Sequence, residues 1–149
     1  MKPIRTWILI ADGSRARIVL NEGPGKGLKP VRNFDYEEGR TAARDIMADR
    51  PGRTFDSSGP GRHAMADSSD PTSVAQTRFA VQLIQFLDKE FANGVFDRLI
   101  LAAPAKFLGY LRASISKTLK SATISELTKD LNHLPDDKLP KHFEDVLVL

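Results

Sequence analysis

Trp7-Ile8-Leu9-Ile10-Ala11-Asp12-Gly13-Ser14-Arg15-Ala16-Arg17-Ile18 is the stretch whose reading decides the fold. Arg5 to Ala11 is an apolar, β-branched run that reads as a buried strand, and Ala16 to Leu20 resumes that character after four polar or small residues. Asp-Gly between two such runs is a hairpin signal, because Gly accepts positive φ and Asp tolerates it. The chain therefore opens with a β-hairpin whose turn is Asp12-Gly13-Ser14-Arg15.

Reading outward, Asn21 to Lys29 holds Gly23, Pro24, Gly25 and Gly27, a turn cluster, and Leu28 to Tyr36 alternates loosely through Val31, Phe34 and Tyr36 as a third strand. Three successive antiparallel strands make a meander. Asp70-Pro71 then supplies an N-cap followed by Pro at the first helical position. Ala75, Phe79, Leu83, Phe86, Leu87 and Phe91 recur at three- and four-residue spacing until Asn93-Gly94, a left-handed C-cap. The expected helix packs this stripe on the sheet.

Arg98 to Ala103 lacks polar alternation, as a central strand covered on both faces does. Pro104 stops it. Phe107, Leu108, Leu111 and Ile115 suit a short helix, Thr123 to Leu127 a further strand, and Phe143, Val146 and Leu147 a terminal amphipathic helix after Pro140. The fold class is α/β: a single mixed β-sheet with an N-terminal β-meander and flanking helices, one domain over residues 1–149. At 149 residues, roughly two thirds of the unfolded surface is expected to be buried.

Between meander and helix, Gly39 to Asp70 has no periodicity and reads as a long mobile loop, longer than compact domains usually carry. It holds Arg40, Arg44, Arg50, Arg53 and Arg62 among Pro51, Gly52, Gly59, Pro60 and Gly61, beside His63. Arginine pairs bidentately with phosphate, and glycine lets backbone N–H groups approach an anion. Arg40, Arg44, Arg53, Gly59, Gly61, Arg62 and His63 are thus candidates for anion or RNA binding. Asp45, Asp49, Asp56, Asp67 and Asp70 interleave with them and keep the local field small.

Several classes are disfavoured by composition. The net charge of +3 falls short of the concentrated basic face of a dedicated nucleic-acid binder. With no cysteine there is no disulfide, thiolate nucleophile or Cys-ligated metal. His63, His133 and His142 lack metal-ligand spacing, and Ser14, Ser57, Ser58 and Ser114 lack a nucleophile elbow. No catalytic residue, metal or cofactor is expected. No stretch approaches the roughly 20 apolar residues of a membrane helix, and no signal-peptide core precedes Asp12, so no membrane association and a cytoplasmic location are expected. A surface adhesin would need export.

Asp12 and Arg15, with Lys106 at the start of the helix after Pro104, form a second candidate pocket, since ligands of α/β sheets bind beyond the carboxyl ends of strands. A hairpin turn accounts for Asp12 to Arg15, and strand termination for Pro104, without any ligand. A metal-dependent nuclease or esterase-like hydrolase would instead need converging carboxylates, for which Asp12, Asp35 and Asp97 are the nearest by strand placement.

The Trp7–Ile18 block and Arg98-Leu99-Ile100-Leu101-Ala102-Ala103-Pro104-Ala105-Lys106-Phe107-Leu108-Gly109 resemble the signature blocks of the bacterial host-attachment protein family, with matching order and spacing between them. That resemblance covers nearly the whole chain and implies no defined reaction, cofactor or catalytic residue. The organisation is also similar to the middle domain of archaeal and eukaryotic peptide-chain release factors, whose exposed loop carries a Gly-Gly-Gln tip. The corresponding stretch here is Ser57-Ser58-Gly59-Pro60-Gly61-Arg62-His63, and the chain contains no Gly-Gly-Gln. Together these readings favour a non-enzymatic interaction protein that contacts RNA, a ribosome or a protein partner through its Arg- and Gly-rich loop. The hydrolase is the alternative.

Overall fold

The computed structural model describes residues 2–38 and 70–149. Strand β1 (Thr6–Ala11) pairs antiparallel with β2 (Arg15–Asn21), setting Trp7 opposite Leu20 and Ala11 opposite Ala16. Strand β3 (Lys29–Asp35) pairs antiparallel with β2, with a register shift at Ile18/Val19. The meander is present. Its second turn is tied by the buried Asn21, whose Nδ2 donates to the carbonyls of Gly23 and Gly27 while its Oδ1 accepts from the Gly23 N–H. Gly23, Gly25 and Gly27 all take positive φ there, the region that glycine enters without a Cβ penalty.

Helix α1 spans Pro71–Ala92, with the Asp70 carboxylate accepting from the Thr72 N–H and Gly94 at φ 72° beyond its end. It leads to β4 (Arg98–Ala103), which lies parallel to β1; α2 (Ala105–Ser114) and α3 (Lys117–Ala122) then lead to β5 (Thr123–Thr128), parallel to β4. The result is one mixed five-stranded sheet, ordered β3-β2-β1-β4-β5. Every residue of β1 is buried, and so is β4 after Arg98, as the unbroken apolar runs demand.

The period of two sends alternate side chains to two different cores. Trp7, Leu9, Ile18, Leu99 and Leu101 pack beneath Phe79, Leu83 and Leu87 of α1, Phe107 and Leu111 of α2, and Leu119 of α3. Ile8, Ile10, Val19, Ile100 and Ala102 pack against Leu131, Leu139, Phe143 and Leu147. One face is therefore covered by helices and the other by the segment after β5.

Two expectations are corrected here. Ile115 does not continue the helix that begins after Pro104: it is extended (φ −70°, ψ 136°), and Ser116 caps a separate short helix by accepting from the Leu119 N–H at 3.0 Å. The terminal amphipathic helix is not formed. Asp136–Lys138 and Pro140–Phe143 are single 3₁₀ turns, followed by one turn in which the N–H groups of Val146 and Leu147 both donate to the Phe143 carbonyl. Pro135 and Pro140 each remove a helix donor, and packing of Leu139, Phe143 and Leu147 under the sheet takes precedence over helical continuity.

Candidate functional site

Because β1, β3 and β4 run the same way, their carboxyl ends share one end of the sheet, and the Asp12–Arg15 turn lies there. The Asp12 carboxylate is used to build that turn. Its Oδ1 accepts from the N–H groups of Ser14 (2.9 Å) and Arg15 (2.8 Å) and from the Ser14 hydroxyl (3.3 Å), while its Oδ2 accepts from Asn132 Nδ2 (3.2 Å). Asn132 Nδ2 also donates to the Arg15 carbonyl at 2.8 Å, tying the turn to the segment after β5. An Asp that accepts local backbone donors in this way specifies a turn.

Gly13 earns its place differently from the reading above. Its φ is not positive; a Cβ built on it would come within 2.3–2.8 Å of the Gln76 side chain on α1. The neighbour is a flexible side chain and not backbone, so a larger residue here would have to displace Gln76.

Around this turn the structure opens a cleft of about 300 Å³ lined by Arg15, Arg17, Asn33, Phe34, Asp35 and Asn132. Arg15 is exposed and stands opposite Asp35 in the β2–β3 register. Arg17 is more deeply held: it donates to the Leu131 carbonyl at 3.0 Å and to the Leu134 carbonyl, and pairs with Asp136 at 3.0 Å. Its Nε is buried with no partner among the described residues. Arg17, Asn33 and Asn132 escaped sequence reasoning. The one available signal is an arginine on the β2 face shared with buried Val19; nothing local marks Asn132.

Tyr36, Glu38 and Asp70, the described residues on either side of 39–69, lie toward this end. Tyr36 stacks on Phe79 of α1, centroids 4.8 Å apart and planes 8° apart, and its N–H donates to the Ser14 carbonyl at 2.7 Å. Its hydroxyl donates to Glu38 at 2.6 Å, and Glu38 in turn pairs with Arg78 of α1. Burial, reinforced by the Glu38 carboxylate, pushes the Tyr36 phenol up to about 12. The Tyr36 hydroxyl and then Arg78 hold Glu38 below the usual carboxylate range. Asp70, capping α1, is the other root.

The candidate residues divide accordingly. Arg40, Arg44, Arg53, Gly59, Gly61, Arg62 and His63, with the expected mobile loop, lie outside the described residues. Asp12, Arg15 and Lys106 share the carboxyl end of the sheet, but no hydrogen bond or ion pair joins Lys106 to the other two among the described residues. The strand-end carboxylate set of the hydrolase reading does not assemble. Asp97 sits at the amino end of β4, where the Arg5 backbone N–H (2.8 Å) and guanidinium hold its carboxylate below the ordinary aspartate range. Asp12 is committed to its turn. Among the described residues no three His, Asp or Glu side chains gather as metal ligands, and no helix is long and apolar enough to cross a membrane.

A comparison with curated proteins returns no match. A family model does match: residues 7–143 align with the family described as "protein required for attachment to host cells", a span running from the second residue of the buried β1 to a phenylalanine of the second core. The chain belongs to that family.

Proposed function

We propose that this member of the family is a cytoplasmic, non-enzymatic interaction protein that contacts RNA through the arginines of residues 39–69. The observation that carries the reading is the anchoring of both roots of that segment on α1, through Tyr36, Glu38 and Asp70, at the sheet end where Arg15 and Lys106 are exposed. In sequence, the segment between these roots carries Arg40, Arg44, Arg53 and Arg62, with Gly59, Gly61 and His63 among them, residue types suited to phosphate contact. The commitment of Asp12 to its turn and of Asp97 to Arg5 supports binding over hydrolysis.

The likeness to the release-factor middle domain supports the same reading, since a long segment between meander and helix is its working part. Without Gly-Gly-Gln this chain would keep the approach to RNA or the ribosome and lose the chemistry. An indirect part in attachment follows more naturally from such a protein than direct adhesion.

The test is binding of the full chain to RNA and to purified ribosomes across a salt series. Phosphate contacts release counterions, so affinity should fall steeply as salt rises, and replacing Arg40, Arg44, Arg53 and Arg62 together by Gln should flatten that slope. Ribosome binding indifferent to salt would assign the contact to protein instead. Absence of RNA binding by the parent chain, or an unaltered slope in the variant, overturns the reading.

A further inference from the structure

The amino end of the sheet carries a larger cleft, of about 550 Å³, that the reading above leaves unused. It lies where the second core runs out: Leu147, buried in that core, is also part of the cleft wall, with Pro3, Ile4, Pro24, Val146 and Val148 around it. Ile4 and Val148 are 50% and 70% exposed, the two most exposed large apolar side chains among the described residues. Two 3₁₀ turns cover this face less completely than a helix would, so apolar surface continuous with the core remains open to solvent at one end.

Two cations line the same cleft. Arg98, half-buried, faces the second core with Ile100 and Ala102; its Nε donates to the Thr6 hydroxyl at 3.3 Å, and among the described residues its two terminal nitrogens have no hydrogen-bond partner. Lys26, on the glycine turn, has no ion-pair partner among the described residues. The nearby carboxylates are already engaged. Glu22, itself in the cleft wall, is held chiefly by Lys29 at 2.8 Å and to a lesser degree by Lys26, which lower its pKa, and Asp97 is held chiefly by Arg5 with a lesser contribution from Arg98. Turns and irregular segments line most of this cleft, yet its volume is in the range of small-molecule sites, and mainly apolar walls beside a half-buried guanidinium, whose terminal nitrogens have no partner among the described residues, give it the composition of a ligand pocket.

We infer that this cleft is a binding site for an amphipathic anion, a carboxylate or phosphate head on an acyl-sized apolar body, with Arg98 and Lys26 taking the head and Ile4, Val146 and Val148 the body. A free guanidinium beside apolar walls discriminates by charge as well as by area, since a neutral ligand of equal length leaves its donors unanswered. The site lies at the opposite end of the sheet from the roots of residues 39–69, so it stands or falls independently of RNA contact.

The test uses the full chain and two probes of equal length, decanoate and decanol, followed by NMR titration of the amides of Ile4, Lys26, Val146 and Val148. Decanoate should shift these resonances and bind at least about tenfold more tightly than decanol. Arg98→Met should erase that preference while keeping decanol binding, and Val148→Trp should weaken both probes by filling the cleft. Should Arg98→Met fail to fold, Lys26→Met on the exposed turn should reduce the preference. Sedimentation with phosphatidylglycerol vesicles, lost in the same variants, would identify a lipid as the source of the anion; decanoate binding without sedimentation would identify a free acid. Equal affinity for the two probes, or shifts confined to other residues, overturns the assignment.

Discussion

The two faces of the sheet are made from the same strands and covered in different ways. Beneath α1, α2 and α3 the core is aromatic and continuous: Trp7 stacks on Phe96 at 4.5 Å, Phe96 meets Phe91 at 5.3 Å, and Phe79 joins Tyr36 to Phe107. On the other face Ile8, Ile10 and Ile100 are covered by a chain with no α-helix, held down by Leu139, Phe143 and Leu147 and by the grip of Arg17 on two of its carbonyls. Regular structure satisfies its own backbone; irregular structure must borrow partners, and here β2 lends a guanidinium to two carbonyls, while the Asp12–Arg15 turn accepts from the Asn132 side-chain amide through a carboxylate and a carbonyl. The helical face should accordingly behave as the rigid half of the molecule, and the other as the half that can open locally.

The largest expected effect compares one phenylalanine from each face. Phe96→Ala removes a fully buried ring together with its stacking on Trp7, and should cost about 4 kcal/mol. Phe143→Ala removes an equally buried ring that has no aromatic partner among the described residues and should cost about 3 kcal/mol. Urea unfolding followed by Trp7 fluorescence measures both. A Phe143 variant as destabilised as the Phe96 variant, with one cooperative transition, would break the contrast and make the two faces a single unit.

Next in size is Arg17→Met. It removes charge-assisted bonds to the carbonyls of Leu131 and Leu134 while keeping most of the apolar stem, and should cost about 2 kcal/mol. The exposed Asp136 pair contributes little of this, because solvent screens it. Hydrogen exchange is the sharper readout: amides of residues 134–147 should exchange faster while those of α1 hardly change. Unchanged protection in that segment would show that Leu139, Phe143 and Leu147 hold it without the arginine.

The same contrast explains what was legible beforehand. On the helical face each element announces itself locally: Asp70-Pro71 starts α1, Asn93-Gly94 stops it, and the stripe from Ala75 to Leu87 is its buried side. β1 and the central β4 were equally clear, because burial on both faces writes an unbroken apolar run, whereas β2 was marked by the Asp-Gly turn before it and the exposed β3 by loose alternation after a glycine-rich turn. The break at Ile115 was missed because its apolar side chain fits the preceding stripe, so only the Ser116 cap distinguishes two helices from one. The segment after β5 was misread as a helix because Phe143 and Leu147 have helical spacing, whereas its path is set by Arg17 and Asn132, which act across more than a hundred residues. Asp12 was recognised as a turn residue, yet its bond to Asn132 had no signal in either residue's neighbours.

The smallest expected effect tests how far the rigid half reaches toward residues 39–69. Tyr36 ends the aromatic row, and its phenol is raised to about 12 chiefly because burial disfavours the phenolate, with the hydrogen bond to Glu38 next. The chain has two tyrosines. A phenolate absorbance titration should therefore show a component near 12 that disappears in Tyr36→Phe. The sign of the linked stability follows from which state holds the proton longer. Between the ordinary tyrosine value of about 10 and the folded value, the unfolded chain releases its proton first, so the contribution of Tyr36 is complete below 10 and falls as pH rises toward 12. Glu38→Gln removes the neighbouring negative charge and should bring the midpoint down without restoring it to 10, since burial against Phe79 persists. A midpoint near 10 in the parent chain would mean that the packed core stops short of the root, and that Glu38 and Arg78 alone fix where residues 39–69 begin.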